Sequence, residues 1–179
     1  MKSAKMADSA PQTSAIVLGT SHEFQRRQDR SEEHEQLRDR WEQLLRETVA
    51  AQHVDGIAEE AGDDTEVRNH LRAEEASIPE ELRALFRGTE IVNSPQRTIA
   101  SLIAEQVGCA YADIRAHGAD QMTIAERDEA MAHAAAQRFS AAGSVMVIVG
   151  EAHRVEVARI LNEAYGWHTE SRTFPPEAD

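Results

Sequence analysis

Short apolar runs alternate along this chain with longer segments in which apolar residues recur every three or four positions. The run at residues 15–18 ends at Gly19 and the run at residues 144–149 ends at Gly150, which is typical of buried strands that stop at a tight turn. Three weaker runs predict further strands at residues 54–61, 109–116 and 167–174, the last of them at the edge of the sheet. The chain is therefore expected to hold about five strands.

Helical spacing follows the first and second predicted strands. Ser31 is a suitable N-cap for a helix whose apolar face is spaced by four, three and four residues. That face consists of Leu37, Trp41, Leu44 and Thr48. A later helix is predicted to start at Ser94 and Pro95 and to end at Gly108.

Two more helices are predicted in the second half of the chain. Thr123 and Glu126 form a capping box, which starts an alanine-rich helix running to about Ala142. The last helix carries apolar residues at helical spacing and ends at Gly166. Met131 belongs to the packing face of the alanine-rich helix.

The alternation of strands and helices predicts a single α/β domain with a mainly parallel central sheet of about five strands flanked by helices. This domain is expected to span residues 14–174, between a disordered tail at residues 1–13 and a short tail at 175–179. Asp63 and Glu66 are spaced to cap one more helix, and residues 70–93 are interpreted as a lid or insertion.

Composition limits the function classes. The chain has 179 residues and a net charge of -13, which disfavours nucleic acid and anionic membrane surfaces as partners. Its one cysteine, Cys109, excludes an internal disulfide. No apolar stretch approaches the roughly 20 residues of a membrane helix, and the first residues lack a signal-peptide pattern. These features indicate a cytoplasmic protein, and they leave the oligomeric state open.

Two histidines occupy matching places after the two strongest strands. Gly19 is followed three residues later by His22, and Gly150 is followed three residues later by His153. Parallel strands end at one edge of a sheet, and ligands bind beyond that edge. Both imidazoles are therefore expected in one site.

Carboxylates and arginines follow other predicted strands and helices. Glu59 and Glu60 close the second strand, and the strand register decides which of them faces the site. Arg127 lies four residues before Met131, so it leans towards the buried face of its helix and can hold a carboxylate or an anionic substrate. The candidates for substrate contacts are Ser21, Asp113, Arg115 and Glu151.

This residue set supports two kinds of chemistry. His22, His153 and Glu59 or Glu60 can hold a divalent metal ion, because two imidazoles and one carboxylate form a common open metal site. Without a metal, the same groups can act as general base and acid. The remaining histidines are expected on the surface, or in a turn for His117, and comprise His34, His53, His70, His117, His133 and His168.

The two glycine-histidine motifs, LGTSH from Leu18 to His22 and VIVGEAHR ending at Arg154, resemble those of the superfamily that contains TraB, the TIKI proteases, ChaN and the erythromycin esterases. The stretch ERDEAMA, which includes Arg127, is similar to the arginine-bearing helix of that family. The resemblance implies an α/β fold with a mixed sheet and a site built from His22, His153, one of the two strand-end glutamates and Arg127. It also implies metal-dependent peptide hydrolysis, ester hydrolysis or haem binding, depending on the branch.

Three functions follow from these observations. The first is a hydrolase of an ester, lactone or amide bond in a small-molecule or peptide substrate, with Arg127 orienting that substrate. The second is a non-catalytic module that binds haem or another small ligand through the same histidines. The third is an acidic subunit that associates with a basic protein.

Overall fold

The computed structural model describes residues 12–25, 32–61, 97–116 and 118–175. Within these ranges the chain forms one five-stranded parallel sheet flanked by four helices, so the predicted α/β class is confirmed. Several predicted features fall outside the described residues. These are the N-cap at Ser31, the capping pair at Asp63 and Glu66, the insertion at 70–93, the residues Ser94 and Pro95, the side chain of His34, the residues His70 and His117, and most of both tails.

The sheet contains β1 (Ser14–Thr20), β2 (Gly56–Glu59), β3 (Ala110–Asp113), β4 (Ser144–Gly150) and β5 (His168–Thr173). Its order is β3-β2-β4-β1-β5, and every pairing is parallel. The mixed sheet implied by the family resemblance is therefore wrong for the described strands. A parallel pairing between neighbours requires a crossover between them, and the helices supply it.

Helices cover both faces of the sheet. One face packs on α1 (Glu32–Gln52) and α2 (Ile99–Val107), and the other packs on α3 (Ile124–Arg138) and α4 (Arg154–Tyr165). Alternate residues of the central strands divide between the two cores, as the period of two requires. Trp41 of α1 and Met131 of α3 are fully buried, which confirms their predicted packing roles.

The predicted helix ends are confirmed at three places and wrong at two. Gly108 and Gly166 end their helices in the left-handed conformation, and the capping box at Thr123 is formed. However, α2 begins at Ile99 rather than near Pro95, because the Thr98 hydroxyl accepts the amide N–H of Ser101.

The other wrong boundary is the end of α3. This helix stops at Arg138, four residues before the predicted Ala142. Phe139 leaves the helical conformation there, and its ring is buried against Gly56 at the start of β2. The ring is thus part of the core between the sheet and α3. At the N-terminal boundary, Thr13 is already ordered, since its hydroxyl donates to the carbonyl of Ala142.

The strand order creates a switch point between β1 and β4. These strands are neighbours, yet β1 leads into a helix on one face of the sheet and β4 leads into a helix on the other. Switch points of this kind open a crevice at the carboxyl ends of the strands, where α/β proteins bind ligands. Among the described residues, no helix has the length and apolar composition needed to cross a membrane.

Candidate active site

Two short turns bring His22 and His153 to the same carboxylate. His22 opens a 3-10 turn directly after β1, and His153 closes a 3-10 turn directly after β4. Thr20 is in register with Gly150, so the two turns leave the sheet side by side. The Nε2 atom of His22 lies 3.9 Å from Oε2 of Glu60, and that of His153 lies 4.0 Å from Oε1. The predicted convergence of the two histidines is therefore present.

The Glu60 carboxylate is the centre of this cluster. Its residue is only 3% exposed, so the charge requires partners inside the protein. Oε1 accepts a hydrogen bond from Nη2 of Arg127 at 3.2 Å, and Oε2 accepts one from the backbone N–H of Gly150 at 2.8 Å. Arg127 thus holds a carboxylate, as its position on the helix predicted.

Gly150 provides the space in which the cluster forms. A Cβ atom at this position would lie 3.3 Å from Nε2 of His22, 3.4 Å from Oε2 of Glu60 and 3.4 Å from Cδ2 of His153. The backbone of Gly150 has a φ of -56°, which any residue can adopt. Glycine is therefore needed here for the close approach of three side chains rather than for its conformational freedom.

The register of β2 decides between the two glutamates. Glu59 pairs with Ile148, and the next amide, that of Glu60, donates to the carbonyl of Ile148. Since successive side chains of a strand point to opposite faces, Glu60 faces Arg127 while Glu59 faces the other core.

On that other face, Glu59 is fully buried in a separate polar cluster. Its Oε2 atom accepts from the Thr98 hydroxyl and, at 2.8 Å, from the Tyr111 hydroxyl. Burial, together with the charge of Glu59, raises the pKa of Tyr111 well above its ordinary value. The hydroxyl therefore stays protonated and remains a donor. Glu59 lies away from the two histidines, and its contacts join β2 to β3 and to the start of α2.

Two residues of the site were not predicted from the sequence. Oδ1 of Asp128 lies 2.5 Å from Nδ1 of His153, and the side-chain oxygen of Gln25 lies 3.1 Å from Nδ1 of His22. Asp128 and Gln25 are both buried. Asp128 lies three residues before Met131 and four before Ala132, so it shares the buried face of α3 with them. A carboxylate at a buried helix position was the signal in the sequence that could have identified Asp128 as a site residue. Gln25 gives no comparable signal beyond its place in the turn.

Burial raises the pKa of the Asp128 carboxyl, and the hydrogen bond and charge of His153 oppose this rise. A carboxylate removed from water in this way is best stabilised by a cationic or strongly donating neighbour. His153 is that neighbour. The two groups form a buried pair beside Glu60, to which His153 turns its other ring nitrogen.

The four predicted substrate contacts occupy different places. Ser21 is exposed beside His22, at the rim of the site. Asp113 and Arg115 pair with each other at 3.4 Å at the end of the edge strand β3, on the far side of β2 from the histidines. Glu151 accepts from Arg154 at 2.9 Å and from Thr173 at 2.7 Å.

The side chain of Glu151 also accounts for the glycine at position 19, in the first of the two glycine-histidine motifs. A Cβ atom on Gly19 would lie 2.0 Å from Oε2 of Glu151, so a larger residue there would displace this side chain. The outlying histidines His53, His133 and His168 are exposed, as predicted. Cys109 is partly buried and packs against the core on the α1 and α2 face of the sheet.

The side chains around Glu60 do not form a donor set suited to a metal ion. The described part of the chain contains no group of three or more histidine, cysteine or acidic side chains with metal-binding geometry. Both oxygens of Glu60 already accept hydrogen bonds, and the Arg127 guanidinium beside them carries a charge of the same sign as a metal ion. This arrangement does not fit a resident metal ion. The divalent metal and the haem both stay predictions.

Comparison of this chain with family models, with curated proteins and with solved structures finds no match. The likeness to the superfamily of TraB and the erythromycin esterases therefore stays a prediction, carried by its two glycine-histidine motifs and the arginine-bearing helix.

Proposed function

We propose that this protein hydrolyses an ester, lactone or amide bond by general acid–base catalysis at the site formed by His22, His153, Glu60 and Arg127. One observation carries the proposal. Two imidazole nitrogens from two separate turns lie within 4.0 Å of one buried carboxylate, and that carboxylate is held by a guanidinium.

The spacing of these groups suits a bound water molecule. Distances of 3.9 and 4.0 Å exceed the reach of a direct N–H···O hydrogen bond. A water oxygen about 2.8 Å from both atoms of either pair fits the same spacing. Such a water has two to three polar partners, which is enough to hold it in a polar site.

In the proposed reaction one imidazole acts first as general base and then as general acid. An imidazole removes a proton from the water as the water oxygen attacks the substrate carbonyl carbon. The resulting imidazolium then returns the proton to the leaving oxygen or nitrogen as its bond to carbon breaks. Glu60 orients the water, and the remaining N–H groups of Arg127 are available to the developing oxyanion, since a guanidinium has five donors.

Exposure indicates the direction of substrate entry. The side chain of His22 is 42% exposed, whereas that of His153 is 8% exposed. Ser21 beside His22 is exposed as well. The substrate is therefore expected to approach from the His22 side and to meet His153 at the closed end of the crevice.

The test is turnover of a substrate panel by purified protein and by His22→Ala and His153→Ala variants. The panel contains 4-nitrophenyl acetate and butyrate, a small lactone and a mixed peptide library. We expect each variant to lose about 10²–10⁴-fold in kcat/KM while keeping its far-UV circular dichroism spectrum. His133→Ala is the matched control, because His133 is exposed and its ring nitrogen contacts the Tyr165 hydroxyl, outside the cluster around Glu60. Full activity in both site variants would place the chemistry elsewhere.

A further inference from the structure

We infer that His153, rather than His22, carries the proton in the proposed reaction, and that Asp128 is the positioning residue that fixes its ring tautomer. The catalytic part of this inference, that His153 carries the proton, rests on the proposed function. Its structural part, the tautomer of His153, can be measured without any substrate.

The Asp128–His153 contact determines which ring nitrogen is free. Oδ1 of Asp128 lies 2.5 Å from Nδ1 of His153, and both residues are buried. An ionised carboxylate only accepts hydrogen bonds, so Nδ1 must carry the hydrogen. Nε2 is then left with its lone pair, on the side of the ring that faces Glu60. A general base needs this free lone pair at the position of the water.

His22 has the same arrangement with a weaker partner. The amide nitrogen of Gln25 donates to the backbone carbonyl of Glu60 at 3.1 Å, so its oxygen is the atom turned to Nδ1 of His22. This contact also leaves Nε2 as the free nitrogen. However, an amide is neutral, and His22 is half-exposed. Nothing in this contact compensates the charge that His22 would gain as a base.

The two partners therefore separate the roles of the histidines. A proton taken up by His153 creates an imidazolium next to the Asp128 carboxylate, and hydrogen bonds to charged groups are roughly twice as strong as neutral ones. His22 shares the Glu60 carboxylate, at 3.9 Å against 4.0 Å for His153, but its Nδ1 faces the neutral Gln25 amide. It is therefore left to orient water and substrate at the open rim.

Consecutive residues of α3 support both halves of this site. Arg127 binds the Glu60 carboxylate and Asp128 binds the His153 ring. The capping box at Thr123 fixes the start of this helix one turn earlier. A shift of the helix start would consequently move the carboxylate and the imidazole together.

Nitrogen NMR of the histidine rings tests the tautomer directly. In ¹⁵N-labelled wild-type protein, with His153 assigned through its backbone resonances, we expect Nδ1 to be protonated and Nε2 to show the shift of an unprotonated nitrogen above the titration range. Asp128→Asn offers an amide that can donate to Nδ1, so the hydrogen should move to Nε2. Asp128→Glu should restore the wild-type tautomer. A wild-type His153 with its hydrogen on Nε2 would overturn the inference.

Activity provides the second measurement, on whichever ester or peptide of the panel is turned over. Asp128→Asn is expected to lower kcat/KM by about 10²–10⁴-fold, the range seen when a histidine-orienting carboxylate is removed elsewhere. Glu129→Gln, an exposed charge change on the same helix, should leave kcat/KM unchanged.

A double-mutant cycle separates positioning from general loss of structure. In the His153→Ala background, Asp128→Asn should cause little further loss, because the ring it orients is gone. An equal loss in both backgrounds would show that Asp128 acts through something other than His153 and would overturn the inference. If the panel shows no turnover at all, the proposed function fails, while the ring-nitrogen measurement still decides the role of Asp128.

Discussion

Gly150 offers the sharpest test of the site, because a single methyl group there enters the cluster without removing any polar group. In Gly150→Ala the new Cβ would lie 3.3–3.4 Å from His22, Glu60 and His153 at once. The backbone N–H that donates to Glu60 is retained. The substitution therefore alters spacing and leaves charge and hydrogen-bonding capacity as they were.

The effect on stability is expected to be small. The contact of 3.3 Å requires Nε2 of His22 to move by a few tenths of an ångström, whereas the two contacts of 3.4 Å lie at the edge of ordinary van der Waals distance. Overpacking costs typically about 1–3 kcal/mol. Alanine also restricts the unfolded chain, which returns about 0.4–1 kcal/mol where the native φ suits it, as -56° does. The net loss is about 1–2 kcal/mol, or a fall in Tm of about 2–8 °C for a chain of this size.

The effect on activity is expected to be large. The methyl group narrows the space between the imidazoles and Glu60 in which the attacking water is proposed to lie, and loss of a positioned proton-transfer partner costs about 10²–10⁴-fold. We therefore expect kcat/KM to fall by about 10²-fold or more while most of the protein remains folded at 25 °C.

Gly56→Ala is the matched control at the opposite end of the sheet. There a Cβ would lie 2.1 Å from Cε1 of the buried Phe139 ring, which cannot move aside cheaply. This variant should lose about 3 kcal/mol of stability and keep its activity per folded molecule. Thermal denaturation and kcat/KM, measured on both variants, test whether Gly150→Ala loses mainly activity and Gly56→Ala loses mainly stability. A Gly150→Ala protein that turns over substrate like wild type would refute the placement of the water.

Three further predictions concern the scaffold. Glu59→Gln should lower Tm, because it disturbs the buried contacts with Thr98 and Tyr111, and it should not lower kcat/KM of the folded fraction. Met131→Ala should cost about 2–5 kcal/mol in chemical denaturation, as for other fully buried side chains. Hydrogen bonds from Thr123 lower the pKa of Glu126, so this carboxylate stabilises the fold above its unfolded pKa of 4.5 and loses that effect as pH falls through the folded value. Thr123→Ala should therefore lower Tm more at neutral pH than in acid.

The sequence predicted the strands and the histidine pair because both depend on local pattern. Apolar runs that stop at Gly19 and Gly150 mark strand ends, and parallel strands must end at the same edge. The convergence of His22 and His153 follows from those two facts. The start of α2 was missed, because only the folded chain shows that the Thr98 hydroxyl accepts the amide N–H of Ser101 and caps the helix there.

The choice between Glu59 and Glu60 could not be made from the sequence. It depends on the register of β2 against β4, and a shift of one residue exchanges the two side chains between faces. Asp128 was missed for a different reason. Its position on the buried face was readable, but its partner His153 is 25 residues away, and only the packing of α3 on α4 brings the two together.

The central claim is that Glu60, and not its neighbour Glu59, serves the two histidines. The most direct measurement is kcat/KM of Glu60→Gln and Glu59→Gln proteins on the same ester, corrected for the folded fraction of each. We predict a loss of about 10²-fold or more for Glu60→Gln and wild-type turnover for Glu59→Gln. Equal activity in the two variants, or a loss confined to Glu59→Gln, would contradict the account.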